Sequence, residues 1–500
     1  MFKKIIIMTG LILLLPAAGF AGKVNVKRLA MADWIRFETE NFNVFTDAGE
    51  ERALELVREL EHFKFFLDTV LGLEQKPLSQ KVSVIAAKDI RTFKSTGIPG
   101  VYSGIFTAGY GYSIFVQCDG FRSSSKGKSR AGRKTVFHEL VHLFIHNSFS
   151  APAVHPWFDE GMAEYFSTYT EKDGTVTTGD IGVHKNRFNS ILKMSREQEN
   201  VDTETLFKTT AADLNIFNTT RRHGRYQDKF YAHSLLTVHY MLSDSDSRER
   251  FFQYIHLLDK GLSIDESFKL AFNMTFSALD NKINRYIIKS GLNAGVFDKD
   301  KIIFSDVKFT RHEITKKDAL GFMFLNISVL PDKFLSDKNF EKLVADAERL
   351  YPGLVNDIIR QQLMDYPEDR PVLARAANIY SRMKRYGEAV TMYERAILAG
   401  EPDAFTLNNY AWLLATMEDT GMRNPARAVE LAGRAVFLEK TPERLDTLAE
   451  AYYAGGSFQM AIKTAGEAIA IGTWDNTYLK KQLRKFKKAF KKQRAADKNN

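Results

Sequence analysis

The segment from Val136 to Phe149 restricts the possible folds of this chain more than any other. Most of its side chains are apolar, and a helix that is apolar on all sides is normally buried. The polar exceptions include His138, Glu139 and His142, which form one stripe because residues three and four apart share a helix face. An unpaired polar group in a buried helix costs about 2–7 kcal/mol. The stripe therefore predicts a strong partner for these groups in the folded protein.

The spacing His-Glu-Leu-Val-His over residues 138–142 indicates that this partner is a metal ion. Two imidazoles four residues apart on a helix point the same way, so both can reach one ion at zinc–nitrogen distances of about 2.0–2.1 Å. Glu139 lies beside the ion without coordinating it, which suits a general base that takes a proton from the attacking water. The five-residue motif also arises by chance in a chain of this length, so a third ligand decides the assignment.

The next predicted helix carries that third ligand by resemblance to a known family. Residues 157–165 read Trp-Phe-Asp-Glu-Gly-Met-Ala-Glu-Tyr. This resembles the W-x-x-E-G-x-A-E-Y helix that follows HExxH in the gluzincin zinc metallopeptidases. The resemblance implies that Glu160, eighteen positions after His142, is the third zinc ligand. It also implies that Glu164, one turn further on, hydrogen-bonds a ligand histidine from outside the coordination sphere.

Two other histidines are weaker ligand candidates. His146 stands eight residues after His138, too far along the helix for the same ion, and is predicted to be a hydrogen-bonded residue of the helix end. His155 precedes a proline in the turn and is predicted to be structural. Ser148 occupies the position at which a metzincin needs its third histidine, which excludes that related class.

The chain before the HExxH motif predicts a small mixed sheet. Residues 34–48 and 82–87 have the composition of strands, residues 49–72 have helical spacing, and residues 99–118 predict two more strands. This order is similar to the N-terminal part of a peptidase MA-like family of exported gluzincins. The resemblance implies that the strand nearest the HExxH helix binds extended substrate by strand addition. Residues 121–134 predict a basic, solvated loop, with a lid or a site that attracts acidic substrate as the alternative.

A helix predicted over residues 230–242 resembles the Y-A-x-S helix that follows the zinc site in the same family. Zinc hydrolases commonly need a further donor that stabilises the oxyanion on the attacked carbonyl. Tyr231 is the candidate, with Tyr226, His223 and His233 as rivals. A tyrosine that merely packs between helices is the alternative.

The N-terminus predicts an export signal. Lys3 and Lys4 precede a mainly apolar stretch over residues 5–18, and the small residues that end at Ala21 fit a cleavage site after that position. An uncleaved anchor is the alternative. We therefore expect an exported protein, periplasmic or extracellular. Its single cysteine, Cys118, cannot form an internal disulfide, so the fold must rely on its hydrophobic cores.

The C-terminal part contains a helical repeat. Positions that tetratricopeptide repeats fill with small or aromatic residues recur here at intervals of 39 and 33 residues, close to the expected period of about 34. The residues at these positions are Tyr380, Ala389, Tyr393, Ala396, Ala428, Ala435, Tyr452, Ala461 and Ala468. Three repeats suffice to bury a continuous core. The resemblance implies a protein partner for this part of the chain.

The last residues are strongly basic. Residues 478–500 contain ten Lys or Arg and one acid, a charge of +9 that equals the formal net charge of the whole chain. Apolar residues at 4-3-4 spacing predict a helix that caps the repeats and leaves a solvated basic face. Binding to an anionic membrane surface or a polyanion is the alternative. No nucleic-acid motif accompanies these charges, and export argues against a nucleic-acid partner.

The expected fold class is α+β. A zincin-like domain, built from a small N-terminal mixed sheet, active-site helices and a helical lobe, precedes an all-α tetratricopeptide solenoid. The expected units are a signal peptide at 1–21, the zincin-like domain at 22–300, a helical linker region at 301–366, the repeats at 367–475 and a basic C-terminal helix or tail at 476–500.

The expected function is hydrolysis of peptide bonds in a peptide or protein substrate. One Zn²⁺ ion held by His138, His142 and Glu160 would activate water, with Glu139 as general base. The alternative is a non-catalytic exported adaptor with a structural or vestigial zinc site. An acid beside the metal argues against that alternative, because a structural site usually closes with four protein ligands.

Overall fold

A computed structural model describes most of the chain. The described residues are 22–73, 77–78, 80–102, 104–118, 128–149, 154–184, 189, 201–210, 221–290, 292–297, 302–331, 334–471 and 477–496. The predicted signal peptide, residues 1–21, lies outside them, as does the predicted cleavage site. None of the helices in the described ranges combines the length and the hydropathy that a membrane span needs.

The strands form two sheets. In chain order they are β1 (Ile35–Glu38), β2 (Phe42–Thr46), β3 (Val82–Ala87), β4 (Gly104–Thr107), β5 (Ser113–Gln117), β6 (Thr170–Lys172), β7 (Thr175–Thr178), β8 (Gly295–Phe297) and β9 (Thr310–His312). The larger sheet has the order β4-β5-β3-β2-β1-β9 and the smaller sheet has the order β6-β7-β8. The larger sheet is mixed, as predicted, because β3 pairs in parallel with β2 and β5 while the outer pairs are antiparallel.

Helices make up most of the remaining structure. In chain order they are α1 (Val26–Met31), α2 (Glu50–Leu71), α3 (Ile90–Ser95), α4 (Lys128–Ser148), α5 (Pro156–Phe166), α6 (Thr203–Lys208), α7 (Arg221–Met241), α8 (Ser245–Asp259), α9 (Ile264–Phe272), α10 (Phe276–Ser290), α11 (Lys316–Ile327), α12 (Asp337–Leu350), α13 (Leu354–Asp365), α14 (Arg370–Arg382), α15 (Tyr386–Leu398), α16 (Ala404–Thr416), α17 (Pro425–Leu438), α18 (Pro442–Ala454), α19 (Phe458–Ile471) and α20 (Thr477–Ala496). Short 3₁₀ turns occur at Ile181–His184 and Thr420–Met422.

The larger sheet has a hydrophobic core on each face. Successive side chains of a strand point to opposite faces, so Val84 of β3 joins the core with α2, α4 and α5 while Ile85 joins the core with α1, α3 and α11. Ile114 and Phe115 of β5 divide between the two cores in the same way. The sheet is therefore the middle of three layers, and the HExxH helix lies in one of the outer layers.

The segment at 301–366, expected to be a helical linker region, is helical but belongs to the N-terminal body. Its strand β9 pairs with β1, with Phe37 opposite Arg311. Its helices α11, α12 and α13 fill the core on the second face of the sheet, where Phe324 and Phe340 are fully buried. A segment that contributes a strand and a core to the N-terminal body is part of that body rather than a linker.

The C-terminal helices confirm the predicted repeat. They form the pairs α14–α15, α16–α17 and α18–α19, and Ala389, Ala428 and Ala461 are fully buried at equivalent points. Small residues recur there because paired helices approach each other closely. Helix α20 caps the array through Phe486, which is fully buried and lies with its ring centroid 5.1 Å from that of Tyr453. The predicted capping helix is therefore present.

Candidate metal centre

Helix α4 begins earlier than the sequence suggested. Residues 128–134, predicted to end a solvated basic loop, form its first turns. Arg133 is 4% exposed, forms an ion pair with Glu59, and its guanidinium lies 4.3 Å from the ring centroid of Phe137. The loop prediction is therefore wrong for residues 128–134, and the solvated interpretation is wrong for Arg133, because a partly buried acid 74 positions away satisfies it. The rest of the loop lies outside the described residues.

The three predicted zinc ligands converge. The Nε2 atoms of His138 and His142 are 3.2 Å apart. The Glu160 Oε2 atom lies 3.5 Å from Nε2 of His138 and 3.8 Å from Nε2 of His142. The histidines come from one face of α4 and the glutamate comes from α5, so the arrangement depends on how the two helices pack.

These distances fit a zinc ion. Four donors placed tetrahedrally at about 2.0–2.1 Å from an ion lie about 3.4 Å from one another, and the three separations of 3.2, 3.5 and 3.8 Å lie close to that value. Two imidazoles and one carboxylate are also ligands that zinc prefers. The three side chains leave a tetrahedral ion one further position, as catalytic zinc sites do.

Glu139 directly follows His138 in the helix and is partly buried. Burial raises the pKa of its carboxyl group, and the adjacent His138 and His142 partly offset that rise. A carboxylate with a raised pKa holds a proton more readily, which is the property that a general base needs. The role of Glu139 as a general base stays a prediction.

Asp159, which no sequence motif marked as a site residue, binds two histidines at once. Its Oδ1 atom lies 2.7 Å from Nδ1 of His142, and its Oδ2 atom lies 2.9 Å from Nε2 of His146. Burial alone would raise the pKa of Asp159, but the two histidines hold it below its usual value. The pKa of His142 shifts in the opposite direction. Burial lowers it, but Asp159 and Glu160 raise it above its usual value.

Asp159 therefore fixes the ring orientation of a predicted ligand, since a metal-binding histidine usually donates its other N–H to an acceptor. The available sequence signal was an acid directly before the predicted ligand Glu160 in a helix that is otherwise mainly apolar. His146 has the hydrogen bond that the sequence predicted for it. Asp159, His142 and His146 also form a second group whose donor atoms lie close enough to hold an ion.

Glu164, predicted to orient a ligand histidine, is buried one turn after Glu160. Its Oε2 atom lies 3.0 Å from Nζ of Lys134, on the second turn of α4. The side chain thus ties α5 to α4 beside the cluster. Its predicted contact with a ligand histidine stays a prediction.

The position of Glu160 depends on close packing of α5 against α7. A Cβ atom on Gly161 would lie 2.6 Å from the carbonyl oxygen of Ser234 and 2.6 Å from Cγ2 of Val238. Real Cβ atoms do not approach a backbone oxygen this closely, so the contact needs glycine. Gly161, the residue after the third candidate ligand, therefore allows the close approach of α5 to α7.

The oxyanion candidates lie on α7. Tyr231 is 7% exposed and lies one turn before Ser234, on the helix that packs against α5. His233 is a poor alternative, because burial lowers its pKa to about 4 and its interacting groups are Asp280, Asp202 and the backbone of Val201. The side chains of Tyr226 and His223 lie outside the described residues. Tyr231 remains the candidate donor.

Strand β4 is an edge of the larger sheet and lies beside α4. Among the described strands it pairs with β5 alone, in antiparallel orientation. A Cβ atom on Gly104 would lie 3.1 Å from the carbonyl oxygen of Gly132 and 3.2 Å from Cγ2 of Val136. The strand therefore begins in direct contact with the HExxH helix.

Comparison with known proteins adds little to this geometry. Residues 133–263 match a family described as a protein of unknown function, DUF1570, and this match includes the HExxH helix, the Glu160 helix and Tyr231. No curated protein matches the chain. A solved structure described as a thermophilic TPR protein of Thermus thermophilus is 16% identical and covers 35% of this chain and 91% of its own, with a TM-score of 0.25. That score is too low to support an argument, so the repeat assignment rests on the helix pairs themselves.

Proposed function

We propose that this protein is an exported zinc metallopeptidase of the gluzincin type. The observation that carries the proposal is the convergence of His138, His142 and Glu160, with donor atoms at the separations that a tetrahedral ion requires. Zinc bound by these residues would act as a Lewis acid and lower the pKa of a water molecule to near 7.

The residues around the ligands would perform the rest of the chemistry. Glu139 takes a proton from the attacking water and passes it to the leaving amine. Asp159 holds the His142 ring through Nδ1, so that Nε2 points toward His138 and Glu160, the residues that would hold zinc with it. Tyr231 is the proposed donor to the oxyanion.

The substrate would be an extended peptide or protein segment. Strand β4 is an unshared edge among the described strands and touches α4, so an extended chain could add to it beside the helix that carries His138 and His142. Main-chain hydrogen bonds of this kind bind many sequences. Selectivity would then depend on the side-chain pockets along the strand.

A second candidate function is an exported adaptor that does not cleave its partner. The C-terminal repeats favour it, because helical repeats commonly present an extended concave surface to another protein. In this case the metal site would stabilise the fold and Glu139 would have no chemical role.

The substitution Glu139→Gln separates the two functions. We expect the variant to keep zinc and thermal stability, because Glu139 is not a ligand, but to lose at least about 100-fold in rate, the contribution typical of a general base. The measurement is a cleavage profile of a whole proteome by mass spectrometry, with zinc content determined in parallel. The proposal is refuted if zinc-loaded wild type and Glu139→Gln give the same profile.

A further inference from the structure

The tip of the turn that joins β4 to β5 is buried against the helical repeats. Its sequence, residues 108–112, is Ala-Gly-Tyr-Gly-Tyr. Tyr110 at the tip is only 6% exposed and shares an apolar cluster with Leu373, Ala374 and Ala396 of the first repeat. Tips of hairpins normally face solvent. The repeats therefore provide a pocket for this one aromatic residue.

The carbonyl oxygen and the hydroxyl group of Tyr110 are both hydrogen-bonded in that pocket. The Arg375 Nε atom donates to the Tyr110 carbonyl oxygen at 3.0 Å, and the Asn409 Nδ2 atom donates to its hydroxyl oxygen at 2.9 Å. The Phe405 ring meets the tyrosine ring edge to face, with centroids 4.8 Å apart. These contacts come from α14 and α16, the first helices of two successive repeats. Ring, hydroxyl and backbone are all recognised.

The glycines on either side of Tyr110 are required by the pocket. Gly109 and Gly111 have φ values of +126° and +99°, which side-chain-bearing residues rarely adopt. A Cβ atom on Gly109 would lie 2.8 Å from the Phe405 ring, and one on Gly111 would lie 2.8 Å from the Arg375 guanidinium. The turn and the repeats therefore fit each other closely at three consecutive residues.

We propose that the first two repeats hold the tip of the β4–β5 hairpin as a built-in ligand and thereby fix β4, with Tyr110 as the positioning residue. The role of β4 in binding substrate rests on the proposed function. Thr107, the last residue of β4, is only three positions from Tyr110.

The physical reason is the weakness of a short edge strand. β4 has four residues and one hydrogen-bonded neighbour among the described strands, and such strands open with little free energy. If the strand is ordered before substrate arrives, the free energy of binding is not reduced by the cost of ordering it. The first two repeats would then bind this chain's own hairpin. The pocket around Tyr110 would be occupied without a second protein.

The test uses the whole chain with Tyr110→Ala, and with Tyr110→Phe and Asn409→Ala as milder variants that remove the hydrogen bond between the tyrosine hydroxyl and Asn409 from either side. The control is Leu398→Ala, in the same repeat, where the side chain is 83% exposed. Hydrogen exchange of the β4 amides is measured by mass spectrometry, and kcat and KM are measured on a peptide that wild type cleaves.

We expect Tyr110→Ala to speed exchange of the β4 amides at least about tenfold and to raise KM by a similar factor, with kcat and zinc content unchanged. The Tyr110→Phe and Asn409→Ala variants should show smaller changes, of about two- to tenfold, and the control should show none. The Tyr110→Phe and Asn409→Ala variants also test the proposal if Tyr110→Ala does not fold.

Two results overturn the proposal while leaving the proposed function intact. One is unchanged β4 exchange in all the variants that remove a tip contact. The other is faster β4 exchange with an unchanged KM. If exchange rises as expected but zinc-loaded wild type cleaves nothing, the anchoring of β4 is supported and the proposed peptidase function fails instead.

Discussion

Replacing Gly161 by alanine adds one methyl group to the contact between α5 and α7. The new carbon would lie 2.6 Å from the Ser234 carbonyl oxygen and from Val238 Cγ2, about 0.8 Å closer than ordinary contact. The carbonyl cannot rotate away as a flexible side chain could. The two helices must therefore separate, and Glu160, the neighbouring residue, moves with α5.

The expected loss of stability follows from two opposing effects. Overfilling a packed contact costs about 1–3 kcal/mol, while exchanging glycine for alanine inside a helix gains about 0.5–1 kcal/mol. We expect a net loss of up to about 2.5 kcal/mol in the free energy of unfolding. Because metal–ligand distances tolerate only about 0.2 Å, we also expect zinc affinity to fall by at least about tenfold.

The matched control is Gly433→Ala in α17, where an added Cβ atom meets nothing within 4 Å. It should gain about 0.5–1 kcal/mol and leave zinc binding unchanged. The assays are urea unfolding in the presence of a chelator, and competition for zinc with a chelating dye. The reasoning is refuted if Gly161→Ala is as stable as Gly433→Ala and binds zinc as tightly as wild type.

Two further predictions concern buried acids. Asp159→Ala should weaken zinc binding about 10–100-fold in the same dye competition, because His142 loses the acceptor at Nδ1; an unchanged affinity would remove Asp159 from the site. Burial raises the pKa of Asp446 from 3.8 to about 6, so between these pH values the folded protein holds a proton that the unfolded chain releases. Stability should therefore fall by about 3 kcal/mol as pH rises through this window, and urea midpoints of Asp446→Asn should lack that fall.

The metal cluster could be predicted because local geometry determines most of it. Residues four apart on a helix share a face whatever surrounds them, so helix geometry alone predicts that His138 and His142 point in the same direction. Glu160 comes from another helix, and only the resemblance to a known motif could place it. The repeats were predictable for a related reason, since buried alanines recur wherever the same helix pair is built again.

Contacts between distant segments could not be predicted in this way. Arg133 looked like a solvated loop residue because nothing near it in sequence marks Glu59 as its partner. The turn around Tyr110 has the composition of an ordinary exposed turn, and its pocket is built from residues more than 260 positions away. β9 is three residues long, too short to show the alternation from which strands are predicted.

The brevity of β9 has a consequence for behaviour at high concentration. Open flanks of sheets invite pairing between molecules, and natural proteins discourage it with short terminal strands and charged side chains. β9 offers three residues, and its Arg311 pairs with Glu313 beside it. Copies of this protein therefore gain little by pairing along the β9 edge. Loss of residues 310–312 would expose β1 as the edge strand, which is longer and more prone to pair with another molecule.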